Sequence, residues 1–255
     1  MPEPGTSPIA IAGLTPFSMV DWPGHLVATV FTQGCSWNCP YCQNPQLRDI
    51  TSARAGLIAW EEVMGLARRR VGLLDGFVFS GGEPTRHRRL ADAMQEIREM
   101  GYAVGLHTNG MYPSALREIL DAGVVDWVGL DIKAADCAYG EAIGAVSDVA
   151  GAAAAKHAWE SLELLQAWVD DSPDGRDFEV RTTVFDCSEQ LRTLGDLAKQ
   201  LSRAGVRTWA VQRSRDQGTA PEFVAAADVV KPERQREITA AIEVARGEFP
   251  GVLVR

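Results

Sequence analysis

The chain has 255 residues, 46% hydrophobic and 23% charged, the composition of an ordinary globular protein that can bury a core without staples. A formal charge of −9 argues against a phosphate-tracking surface, so no nucleic-acid partner is expected. No leader pattern or membrane-length apolar run is visible, which predicts a cytoplasmic protein without a membrane partner, whose five cysteines are metal ligands or free thiols.

In chain order, residues 1–24 read as an N-terminal extension and 25–255 as a single domain. Short β-rich runs at Leu26–Thr32, Gly76–Ser80, Ala103–His107, Asp126–Ile132, Phe178–Phe185 and Thr208–Gln212 predict strands. Between them, Trp60–Val71, Arg86–Met100, Pro113–Ala122, Ala152–Val169 and Ser188–Ala204 predict helices. A last helix is expected over Arg234–Arg246, ahead of the apolar tail Val252–Val254. Ala145–Ala155 reads as a mobile loop entering a helix, and Ser172–Gly175 as a turn.

Strands alternating with helices predict βαβ units and a parallel sheet, either doubly wound or partly closed into a (β/α) barrel. Both architectures place chemistry at the carboxyl ends of the strands. Polar and glycine-rich groups recur there. The first strand runs into Gly34–Cys42, the second into Ser80-Gly81-Gly82-Glu83-Pro84, and the third into His107-Thr108-Asn109-Gly110. The fourth ends in Asp131-Ile132-Lys133, the fifth carries Arg181, and the sixth carries Gln212.

Cys35, Cys39 and Cys42 have the spacing C-x3-C-x2-C. A closed zinc site wants four ligands, usually as two separated pairs, so this triplet would need a distant fourth ligand. An iron–sulfur cubane normally takes four thiolates, and three would leave one iron open to a substrate or cofactor.

The spacing, with Tyr41 at the aromatic position, resembles the radical S-adenosylmethionine (SAM) superfamily. Flanking Asp21-Trp22-Pro23-Gly24, the run Val30–Cys35 and Gln43-Asn44-Pro45 resemble its glycyl-radical-enzyme activases, in particular the activating proteins of anaerobic ribonucleoside-triphosphate reductase. The resemblance implies a partial (β/α)6 TIM-like barrel with parallel strands. It also implies one [4Fe–4S] cluster on Cys35, Cys39 and Cys42, with SAM chelated by the open iron.

Further positions follow from the same resemblance. Gly81, Gly82 and Glu83 resemble the family's GGEP motif, whose backbone binds the SAM amino group. Thr108 and Asn109 fall near the SAM carboxylate, although His107 stands where relatives carry an acidic residue, which puts a cation site there in doubt. Asp131 and Lys133 resemble an Asp-x-Lys beside SAM. Arg181 interrupts an apolar strand and is expected to point into a polar cavity. Gln212 is placed at the ribose side, where relatives use a histidine.

The implied activity is reductive cleavage of SAM to a 5′-deoxyadenosyl radical, which makes a glycyl radical on a partner enzyme. A flavodoxin- or ferredoxin-like protein would donate the electron. The short chain fits a barrel whose open side is closed by a protein substrate. A radical SAM enzyme acting on a small molecule or peptide, and a non-catalytic zinc or iron–sulfur module, are the alternatives. Cys137 and Cys187 are too far apart for a second cluster. His25, His87 and His157 show no ligand spacing, and the arginines at 68–70 and 86–89 read as solvated helix faces.

Overall fold

A computed structural model of the protein describes residues 8–50, 58–171, 175–185, 188–215, 217–221, 223 and 231–255. Most of the expected Ser172–Gly175 turn, and Cys187, lie outside the described residues.

Eight strands form one sheet in sequential order: β1 (Ile11–Ser18), β2 (Val27–Thr32), β3 (Gly76–Gly81), β4 (Ala103–Thr108), β5 (Trp127–Asp131), β6 (Asp177–Val184), β7 (Trp209–Arg213) and β8 (Leu253–Val254). Strands β2 to β8 run parallel, and β1 lies antiparallel on β2. The helices are α1 (Trp60–Arg69), α2 (Leu90–Glu99), α3 (Pro113–Asp121), α4 (Tyr139–Ile143), α5 (Asp148–Asp170), α6 (Glu189–Arg192), α7 (Leu194–Arg203) and α8 (Lys231–Glu248). Strand order never reverses, so right-handed crossovers put successive helices on the same face, and the sheet curls around the other. Among the described residues β8 does not pair with β1, which leaves a partial barrel.

The two-residue period of the strands sorts side chains onto these two faces. Val30, Phe77, Phe79, Val104, Leu106, Val128, Leu130, Val180 and Val211 join the main core under the helices. The alternate positions face inward in two layers. Near the strand starts, Val27, Val78 and Trp127 enclose Trp22 in a separate apolar cluster. Trp22 stacks on Trp127 with ring centroids 5.5 Å apart, and a side chain on Gly105 would meet the Trp22 ring at 2.9 Å. Above this floor the inward positions include the polar Ser80, His107, Asp131, Arg181 and Gln212, with Phe31 in register with Ser80.

Three expected boundaries shift for visible reasons. The reading of residues 1–24 as an extension outside the barrel does not match β1. Gly13 and Pro16 weaken its strand signal, and its register shifts fall between Ile11 and Gly13 and between Thr15 and Ser18, as suits a bulged edge strand. The alanine-rich stretch is helical from Asp148, because Ser147 caps α5 by accepting from the Ala150 N–H at 3.2 Å and Ala154, Ala155 and Ala158 are buried. The helix expected over Ser188–Ala204 breaks at Thr193, whose hydroxyl bonds back to the Glu189 carbonyl at 2.8 Å.

Candidate active site

The loop after β2 carries the three cysteines and is fastened on two sides. On one side, Gly34 N–H donates to the Leu47 carbonyl at 2.6 Å and Cys35 N–H to that of Arg48 at 3.1 Å. The buried Gln33 amide donates to the Gln46 and Asp49 carbonyls at 3.2 and 2.8 Å. On the other, Asn38 N–H donates to the Ile143 carbonyl at 2.9 Å, and Trp37 packs edge-on against Tyr139 at 5.9 Å.

The thiols of Cys35, Cys39 and Cys42 are half-buried. Burial pushes the Cys35 thiol up to about 12 and the Cys39 thiol to about 11, so metal binding there must displace protons. Cys35 Sγ accepts from the Trp37 N–H at 3.4 Å and from Asn109 Nδ2 at 3.8 Å. Among the described residues no three His, Cys, Asp or Glu side chains gather tightly enough for a single ion. A polynuclear cluster needs its thiolates spaced more widely than one ion does. Three soft donors on a rigid, partly desolvated loop fit a cubane with one open iron.

At the β3 end the chain packs closely on itself. The space a side chain would occupy on Gly81 and Gly82 is filled by the chain itself. A Cβ on Gly81 would collide with the backbone of Thr32, and one on Gly82 with the Gly34 carbonyl. Gly82 N–H bonds to the Thr32 carbonyl and Glu83 N–H to that of Gly34, each at 2.9 Å. The glycine pair thus lets β3 lie flush against the entrance to the cysteine loop.

Glu83 is 1% exposed, and both of its carboxylate oxygens accept hydrogen bonds. Oε1 accepts from Thr85 N–H at 3.0 Å, Thr85 Oγ1 at 2.6 Å and Thr108 Oγ1 at 2.7 Å, while Oε2 accepts from Asn109 N–H at 2.7 Å. Burial raises its pKa and these four donors oppose the rise. Its side chain therefore ties the β3 and β4 ends together. Thr108 is committed likewise, donating to Glu83 and accepting from the Gly110 N–H at 3.1 Å.

His107 occupies the inner face and is held at both nitrogens, by Ser80 Oγ at 3.1 Å and by the Asp21 carbonyl at 2.6 Å. Burial first, then the nearby Arg181 charge, lower it to about 3, so the ring is neutral. The Asp21 side chain accepts from Thr29 Oγ1 at 2.6 Å. The Asp-Trp-Pro-Gly segment is thus a strap latched to β2 and β4. Its sequence marked the segment, but not its tie to His107.

Across the barrel, Asp131 accepts from Lys133 Nζ at 2.9 Å and from Arg181 Nε at 3.1 Å. Burial alone would raise the Asp131 carboxyl, yet Lys133 and Arg181 pull it down to about 2. Arg181 points inward as expected and also donates to the Gly129 carbonyl at 3.2 Å. Burial opposes the Lys133 charge, but the Asp131 carboxylate more than compensates and raises its pKa. Lys133 Nζ lies 5.8 Å from the ring centre of Tyr41, joining this ion network to the cysteine loop. Tyr41 is 4% exposed, lies 4.8 Å from the Phe185 ring, and its hydroxyl has no hydrogen-bond partner among the described residues. Gln212 lies half-buried on β7, in register with Thr183.

Two supports escaped the sequence reading. Gln190 donates to the Lys133 and Thr183 carbonyls at 2.5 and 2.7 Å, bracing the ends of β5 and β6. Arg255 forms a two-pronged pair with the buried Glu179 at 2.8 and 2.6 Å. Neither residue sits in a local motif that would have marked it.

A cysteine loop and a polar ion network facing each other at the carboxyl end of a parallel half-barrel define a cofactor-dependent α/β enzyme class. The sequence profile of the Radical SAM superfamily matches residues 29–167, and the chain belongs to that family. The family implies SAM and a [4Fe–4S] cluster as cofactors. A Methanocaldococcus jannaschii protein provisionally named a glycyl-radical enzyme activating enzyme is 33% identical over 129 residues, covering 48% of this chain and 50% of that one. A PqqA peptide cyclase of Methylocella silvestris is 27% identical over 225 residues, 88% of this chain and 56% of that protein. The chain thus spans about half the length of these curated relatives. Among solved structures, Streptococcus suis SuiB bound to its precursor peptide SuiA superposes with a TM-score of 0.56 at 14% identity, over 90% of this chain and 48% of that one. Among the described residues no helix is long and apolar enough to cross a membrane.

Proposed function

We propose that the protein is a glycyl-radical-enzyme activase, with the anaerobic ribonucleoside-triphosphate reductase as its partner. Cys35, Cys39 and Cys42 would hold the cluster. When bound and reduced, it supplies the electron that splits the sulfonium of SAM into methionine and a 5′-deoxyadenosyl radical, which takes the Cα hydrogen of one partner glycine. A flavodoxin- or ferredoxin-like protein is the proposed electron source, in an anaerobic cytoplasm.

The observation that carries the reading is the junction of Tyr41 and Lys133, where the cysteine loop meets the ion network. Asp131 is held ionised between two cations, so it orients Lys133 and Arg181 rather than moving a proton. The trio carries one net positive charge and suits a carboxylate such as that of SAM. Gln212 would approach the ribose from β7. Trp22 and Trp127 close the barrel below and exclude water from the strand-start side. No side chain is needed as a general base, because the hydrogen leaves as an atom.

The relatives named as activating enzymes support the glycine-directed reading. A second reading, radical chemistry on a peptide, is favoured by the cyclase relative that aligns with 88% of this chain. The test is to incubate the reduced, reconstituted protein and SAM with the anaerobic reductase and record its electron paramagnetic resonance. A glycyl-radical doublet supports the activase. SAM cleavage without a doublet, repeated with other glycyl-radical enzymes, would move the assignment to the peptide reading.

A further inference from the structure

The β4 end has a feature that SAM binding does not explain. Asn109 is 6% exposed, and each of its hydrogen-bonding groups around the side chain is assigned. Its N–H is fixed by Glu83 Oε2 at 2.7 Å, and its Oδ1 accepts from the Met111 N–H at 3.0 Å. That second bond sets the amide orientation, because a flipped Asn109 would face one donor with another. Nδ2 is therefore directed at Cys35 Sγ, 3.8 Å away. Trp37 N–H reaches the same sulfur at 3.4 Å.

We propose that Asn109, held in place by Glu83, tunes the redox potential of the cluster by donating an N–H···S hydrogen bond to the Cys35 ligand. The inference rests on the cluster reading above and adds a role for the β4 end. A donor to a ligating sulfur stabilises the more electron-rich, reduced cluster and so raises its potential. In a partly desolvated site the effect is larger than in water. Glu83 is the positioning residue: a carboxylate with four donors and almost no exposure leaves Asn109 little freedom to turn away.

Wild-type protein, Asn109→Ala and Asn109→Asp are reconstituted anaerobically, and the reduced-cluster signal is titrated against potential. Asn109→Ala should cut the ratio of reduced to oxidised cluster at fixed potential about tenfold, which is about 59 mV for one electron. Asn109→Asp, which puts a carboxylate oxygen against the sulfur, should lower it further. Iron and sulfide per chain should match the wild type in both, a result that a merely structural role would not pair with a shifted potential. Unchanged potentials with intact clusters would overturn the inference while sparing the family reading. Loss of the cluster from both variants would also overturn it, since a tuning contact is not required to hold iron. Failure of the wild-type protein to assemble any cluster would sink both.

Discussion

The two sides of the strand-end surface are held by different forces. Around β2, β3 and β4, the cysteine loop is secured by backbone hydrogen bonds, close chain-on-chain contact at Gly82, and one buried carboxylate that accepts from four donors. Around β5 and β6, Asp131, Lys133 and Arg181 form a largely buried charge network with one net positive charge. The first arrangement suits a cofactor that must not move. The second suits a charged ligand that must come and go, because long cationic side chains can re-pair when it leaves.

The contrast can be broken at several points, in decreasing order of effect. Replacing Cys35, Cys39 or Cys42 by alanine should abolish cluster assembly, read as loss of iron and sulfide per chain, and with it all 5′-deoxyadenosine. Glu83→Gln would turn an amide donor toward groups that are themselves donors, leaving them unsatisfied. It should cost about 3 kcal/mol in urea unfolding. A loss below about 1 kcal/mol would show that the β3–β4 tie is not what secures this side.

The strap gives a pH-dependent test. His107 is lowered from 6.5 to about 3 in the fold, so its contribution is complete above pH 6.5 and drains away as pH falls toward 3. Between pH 7.5 and 5.5 that amounts to about 1.4 kcal/mol of stability, which His107→Gln should remove from the pH slope. An equal slope in both proteins would mean that the ring is not held neutral. The smallest effect is expected on the surface, where the exposed Arg89–Asp92 pair sits at 2.9 Å. Asp92→Asn should change stability by no more than about 0.5 kcal/mol.

Much of this architecture was legible in the sequence because it is periodic or local. The strand–helix alternation carried the parallel sheet, and the cysteine spacing carried the family. Arg181 was legible because a charge in an apolar strand must find a partner, although its partner, Asp131, lies on the neighbouring strand. What stayed hidden depends on which distant groups come together. Gly81 and Gly82 announce a close approach, but not that their Cβ positions face the backbone of Thr32 and Gly34. The motif containing Glu83 gave no sign that its side chain faces Thr85, Thr108 and Asn109. The edge strand β1 was hidden by Gly13 and Pro16, residues that depress strand signals even where an edge tolerates them.

The central claim is that the thiol loop and the ion network form one site, in which a cluster on Cys35, Cys39 and Cys42 delivers an electron to SAM. Its most direct test is the yield of 5′-deoxyadenosine from anaerobically reconstituted protein given dithionite and SAM. The account predicts its formation by wild-type protein and its absence from each of the three Cys→Ala variants. Protein that carries about one zinc and no sulfide, and forms no 5′-deoxyadenosine, would contradict it.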